Sequence, residues 1–139
     1  MDIQATLEAL TAINKYVVQV AEDAHLDHRA AYQLRLAVDE IATNVVSHGS
    51  SQIPHEVVFK IETDMDDDYL TVILEDTGQP YNPYQAEGQE DLHQPLEQRR
   101  FGGLGVYLAL HSVDELKYER LGQWNRHTFI VKRDSHDSQ

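Results

Sequence analysis

The 139-residue chain has no cysteine. That excludes a disulfide frame, a thiolate zinc site and thiol chemistry, and it suits a reducing cytoplasm. No run of about 18 apolar residues is present, so no helix is expected to span a membrane. The N-terminus shows no charged, apolar and small-residue leader. Positive charge is also scarce: 11 Lys and Arg stand against 24 Asp and Glu, a formal net charge of −13. A nucleic-acid backbone or an anionic membrane is therefore a poor partner. A small anion can still be held where a cation and backbone amides supply charge locally, and a basic protein partner remains suitable. What is present is an ordinary 41% hydrophobic content, enough for one folded domain and too short for a second core.

Along the chain, Leu7, Leu10, Ile13, Val17 and Val20 recur at steps of three and four, predicting an amphipathic helix over 5–21. Asp27 is placed to cap a second helix running to about Ser47, with Leu34, Val38, Ile41 and Val45 as its apolar stripe. Gly49-Ser50-Ser51, with Pro54 soon after, ends it. Residues 55–63 alternate as a half-buried strand, and 69–76 are evenly apolar, as a central strand is. Asp66-Asp67-Asp68 makes the turn between them. Residues 82–100 lack periodicity and carry Pro83, Gly88 and Pro95, as expected of a long loop or lid. A helix over 103–112 follows, then strands over 113–121 and 126–133 around a turn at 122–125. The polar tail from Asp134 is expected to fray. Antiparallel strand pairs with helices gathered on one face predict a two-layer α+β sandwich comprising residues 1–133.

Three stretches carry chemistry. In AVDEIATNVVSHG (37–49), Glu40, Asn44 and His48 share one helical stripe at steps of four. A carboxylate there can take the proton of an attacking hydroxyl, and an amide oxygen suits Mg²⁺. In EDTGQPYNP (75–83), Asp76 closes a strand, where it can accept the exocyclic amine of adenine, and Gly78 lets a flat base approach. In RRFGGLGVYLAL (99–110), Gly102, Gly103 and Gly105 precede an apolar helix and aim free amides at an anion, with Arg99 and Arg100 at the border. The last stretch lacks the Gly-Lys-Ser/Thr ending of a Walker loop and the βαβ setting of a dinucleotide fingerprint.

Together, in this order, the stretches resemble the GHKL ATPase superfamily, and within it the bacterial serine-kinase anti-sigma factors. EIATNVVSHG matches its Glu-x3-Asn-x3-His-Gly helix, DTGQPYNP its first glycine motif, and GGLGVYLAL followed by VDELKYE its second. Gly122, Asn125, Thr128 and Phe129 match its closing pattern, so the resemblance covers about residues 6–132. It implies a Bergerat fold binding ATP or ADP with Mg²⁺ under a lid at 82–101. Glu40 would be the catalytic base and Asn44 the Mg²⁺ ligand. Asp76, Gly78 and Thr128 would form the adenine pocket, and Gly103 and Gly105 would meet the phosphates. His48, Arg100, Gly102 and Leu104 complete the implied nucleotide contacts.

The implied activity is phosphorylation of a serine or threonine on a STAS-domain (anti-anti-sigma) partner, which releases that partner and frees the kinase to hold a sigma factor. A phosphatase partner and a homodimer also follow by resemblance. The alternative is a non-catalytic nucleotide-binding switch of the same fold. A metal-dependent hydrolase is disfavoured because no tight His/Asp cluster is evident. Three departures stand out: the first strand is shortened or missing, Ser50 follows His-Gly where an aromatic is usual, and Asn82 replaces a common Asp.

Overall fold

A computed structural model describes residues 2–48, 55–80 and 111–133. The order is β1 (Asp2–Gln4), α1 (Leu7–Asp23), α2 (His28–His48), β2 (Val58–Met65), β3 (Tyr69–Asp76), β4 (Glu115–Leu121) and β5 (Trp124–Lys132). The strands form one sheet in the order β1-β2-β3-β5-β4, with every pair antiparallel. The α+β two-layer reading is thus the observed one, and the first strand exists as a three-residue edge. The lid at 82–101 and the helix start at 103 lie outside the described residues.

Each element has a local cause. Thr6 caps α1, its hydroxyl accepting the Ala9 amide at 3.3 Å. At the other end His25 takes φ +58°, and the Leu26 and His25 amides return to the Ala21 and Glu22 carbonyls. This is a Schellman closure, so His25 has a backbone role in ending the helix. Asp27 starts α2 as expected, its Oδ1 accepting the Ala30 amide at 2.7 Å. Asp66 organises the β2–β3 turn by accepting the Asp68 and Tyr69 amides.

The β4–β5 turn is tighter than the four residues predicted. Leu121 pairs with Trp124, leaving a two-residue loop in which Gly122 has φ +62°. A positive φ at the first loop position alone is the type II′ arrangement, which suits glycine and the sheet's twist. Trp124 folds back over the sheet, with Lys60 Nζ 5.4 Å from its ring centroid.

The core lies between the helices and one sheet face. Ala9, Ile13 and Val17 of α1 and Leu34, Val38, Ile41 and Val45 of α2 meet Phe59, Ile61, Val72, Leu74 and Phe129, all buried. The Tyr16 hydroxyl adds a 2.6 Å bond to Thr63 Oγ1, joining α1 to β2. The opposite sheet face carries the Arg126–Glu75 ion pair at 2.6 Å. Strand alternation thus sends Leu74 and Asp76 to the helix side and Glu75 away from it. Phe129, fully buried in a strand with neighbours on both sides, tests this core. Phe129→Ala should cost about 3–5 kcal/mol of unfolding free energy in a urea titration. A loss below about 1 kcal/mol would contradict the packing.

Candidate functional site

The end of β3 carries the most constrained chemistry. Asp76 is 1% exposed, and its Oδ1 accepts the Gly78 amide at 2.8 Å and the Asn125 side-chain amide at 2.9 Å. Asn125 Nδ2 also reaches the carbonyls of Gln79 at 2.9 Å and Gly78 at 3.3 Å. The Tyr118 hydroxyl donates to Asn125 Oδ1 at 2.6 Å, and Arg120 donates to the Gly78 carbonyl at 2.9 Å. The β4–β5 hairpin therefore grips the Asp-Thr-Gly turn from one side. Thr77 holds it from the other, its hydroxyl accepting the Val58 amide at 2.9 Å while its own amide returns to the Val58 carbonyl. Asp76 Oδ2 is left buried with no hydrogen-bond partner.

A second carboxyl sits on α2. Glu40 is half-buried, and burial pushes its pKa above the ordinary 4.5. Asp39 beside it pushes in the same direction, while a hydrogen bond from the Asn44 side chain opposes both. Glu40 Oε2 is shielded and lacks a hydrogen-bond partner. Asn44 is buried at 7% exposure, an unusual place for an amide on a helix that otherwise buries apolar groups. The predicted Glu40–Asn44 pairing is therefore present as a contact.

His48 occupies the exposed end of the same stripe. Its carbonyl accepts the Gln79 side-chain amide at 2.8 Å. That bond spans the helix end and the Asp-Thr-Gly turn, so the first two stretches meet in space through backbone and side chain.

Thr128 takes a different place from the one expected. It pairs with Ile73, on the sheet face away from the helices, whereas Asp76 pairs with Asn125 and Leu74 with His127 on the helix side. Alternation along a strand allows no other result. The β5 side chains sharing the face of Asp76 are Asn125 and His127, both fully buried. The phase was ambiguous in the sequence because Trp124 and Ile130 make both faces of β5 partly apolar. The signal that identifies the pair is two polar residues in phase with Phe129 and Val131. Arg100, Gly102, Gly103, Leu104 and Gly105 lie outside the described residues.

The histidine kinase-like ATPase domain model matches residues 3–130. The chain belongs to that family. Among its relatives, the serine/threonine-protein kinase BtrW of Bordetella bronchiseptica is 25% identical over 128 residues, covering 92% of this chain and 89% of that one. The serine-protein kinase RsbW of Bacillus mycoides is 25% identical over 120 residues, covering 84% and 74%. The fold matches the crystal structure of the RsbU and RsbW domains of a Mycobacterium tuberculosis protein, at TM-score 0.63 and 16% identity. That match covers 97% of this chain and 33% of the longer one. The histidine kinase domain of a blue-light-activated kinase from Erythrobacter litoralis matches at TM-score 0.58 and 16% identity, covering 93% and 61%. The GHKL-type reading and the Bergerat architecture therefore hold.

Two measurements check the geometry. Asn125→Ala would strip Asp76 Oδ1, the Gln79 carbonyl and the Tyr118 hydroxyl of partners in a buried setting. It should cost about 1–3 kcal/mol by denaturant unfolding. For Glu40, the folded state holds its proton more tightly than the unfolded chain does. Its contribution to stability is therefore full below pH 4.5 and is lost as pH rises through the raised value. Glu40→Gln should accordingly raise the melting temperature near neutral pH, with the gain vanishing in acid. A gain that persists below pH 4.5 would place the effect elsewhere.

Proposed function

We propose that the protein is an ATP-dependent protein serine/threonine kinase of the anti-sigma, partner-switching type, with a STAS-domain protein as its substrate. The observation carrying this reading is Glu40: a half-buried carboxyl of raised basicity with one oxygen unpartnered, beside the Asn44 amide. A module that only held nucleotide would have no need for such a base. The names of the relatives, serine-protein kinases at 25% identity, support the same reading.

In the proposed mechanism Glu40 Oε2 accepts the proton of the attacking serine or threonine hydroxyl, and desolvation raises its affinity for that proton. Asp76 Oδ2 accepts a hydrogen bond from the adenine amine. Gly78, whose amide is already committed to Asp76, offers the base a surface without a side chain. Arg100, Gly102, Gly103, Leu104 and Gly105 are proposed to meet the phosphates, and His48 to hold the helix end against the turn.

Mg²⁺ fits the donor set. Asn44 supplies one hard oxygen, and among the described residues no group of three or more His, Asp or Glu could hold a metal. That suits an ion that keeps water and phosphate oxygens as its other ligands. When bound, it would neutralise charge on the transferring phosphoryl group. The same reading places the protein in a bacterial cytoplasm, as a homodimer that also holds a sigma factor and answers to a phosphatase.

Glu40→Gln should lower transfer to a STAS protein by about 10²–10⁴-fold, with ATP binding near normal. Labelled ATP, Mg²⁺ and candidate STAS proteins are the assay. Unchanged transfer would remove Glu40 as the base. ATP binding without transfer by the unaltered protein to any STAS protein would favour a non-catalytic switch. Asp76→Asn should weaken binding itself, read as a smaller rise in melting temperature on adding ATP. A rise equal to that of the unaltered protein would reject the adenine assignment.

A further inference from the structure

We infer that Gln79 is a positioning residue: its side-chain amide caps the end of α2 and keeps the helical turn that starts at Asn44 in place for Mg²⁺. The inference rests on the nucleotide and Mg²⁺ reading above. Gln79 Nε2 donates to the His48 carbonyl at 2.8 Å, across 31 positions of the sequence. His48 is the last residue of α2, and the final carbonyls of an α-helix have no partner within it. Gln79 therefore supplies from a distant turn what a local cap supplies elsewhere.

The donor projects from an anchored backbone. The carbonyl of Gln79 itself accepts Asn125 Nδ2 at 2.9 Å, and the preceding carbonyl, of Gly78, accepts Arg120 at 2.9 Å. The Gly78 amide is held by Asp76 Oδ1. Asn125 and Asp76 are both buried, so the sheet fixes the point from which the Gln79 side chain reaches α2. Gln79 is half-buried, and its substitution leaves the core untouched.

What the cap protects is the end of the Glu40–Asn44–His48 stripe. In an α-helix the amide of residue 48 bonds the carbonyl of residue 44, so the capped turn begins at Asn44. Helix ends fray, and fraying here would release the Asn44 backbone on its C-terminal side. Mg²⁺ demands near-ideal octahedral geometry, so drift of a ligand weakens metal binding before it weakens the fold. Glu40 lies a further turn inside the helix and is less affected. Gln79 touches neither metal nor phosphate in this account. It acts through the backbone of α2, and it joins the turn that begins at Asp76 to the helix that carries Asn44.

The test uses Gln79→Leu, which removes the donor, and Gln79→Lys, which keeps a donor and adds a cation suited to a helix C-terminus. Calorimetry on the full chain gives the affinity for ADP in excess Mg²⁺ and in EDTA, and their ratio is the gain from Mg²⁺. In Gln79→Leu that gain should fall about fivefold, the order of one hydrogen bond, with the affinity in EDTA unchanged. Gln79→Lys should restore most of it. A gain unchanged in Gln79→Leu overturns the inference. So does an equal loss with and without Mg²⁺, which would mark a general structural role. Amide hydrogen exchange without nucleotide gives an independent reading. The last turn of α2 should exchange about fivefold faster in Gln79→Leu than in the unaltered protein, and close to the unaltered rate in Gln79→Lys. Equal rates in all three proteins also overturn the inference. If Mg²⁺ leaves the ADP affinity of the unaltered protein unchanged, the Asn44 reading itself fails, and the exchange rates still decide whether Gln79 caps the turn.

Discussion

The hydrogen bonds made by Asn125 hold the site together. One side-chain amide, with no exposed surface, joins Asp76, Gly78, Gln79 and Tyr118. Burying such a group is costly unless every atom is used, and here both ends of the amide are. The result is a turn whose backbone is fixed from the β4–β5 hairpin. Gln79 then carries that constraint to the end of α2 through the His48 carbonyl. Strand end, hairpin and helix end are thus tied at one corner of the molecule, where the Asp-Thr-Gly turn can hold a fixed shape.

The two carboxyls of the proposed site live in different environments. Asp76 has one oxygen held by two donors, which sets its direction and leaves Oδ2 as a fixed acceptor. Glu40 is held by fewer groups, lies partly in an apolar setting and has raised basicity. Divergent environments divide acids into positioning and proton-accepting roles. Under the proposed function, Asp76 is suited to recognition and Glu40 to chemistry, and neither could do the other's work from its present place.

Much of this could be read from the sequence where a pattern had one phase. The α1 and α2 stripes, the Asp27 cap and the span of β3 follow directly from spacing and side-chain chemistry. Glu40 and Asn44 were legible because a helix of 3.6 residues per turn puts i and i+4 together. The β5 strand was not. WNRHTFIVK has apolar residues in both phases, so alternation alone does not say which face meets the helices, and the pairing of Thr128 with Ile73 puts it on the face away from them. The Asn125 junction was hidden for a different reason: its partners are 7 to 49 residues away, and no local rule relates them. The positive φ at His25 was hidden as well, since helices commonly end on glycine there.

A chain with net charge −13 is ill-matched to a polyanionic nucleotide until the acids are sorted by what they would face. In the proposed site, Asp76 meets an amine proton and Glu40 a hydroxyl proton, both donors. The phosphates would fall to backbone amides at the glycine-rich stretch and to a bound cation. Negative surroundings also have a use at α2. The charge of Asp39 adds to burial in raising the basicity of Glu40, because a like charge nearby disfavours ionisation. Acidity that would hinder a phosphate therefore helps a general base, provided the two are kept apart. Under the proposed function, that separation comes from having the base on the face of α2 and leaving the phosphates to the glycine-rich stretch of the sequence at 99–110.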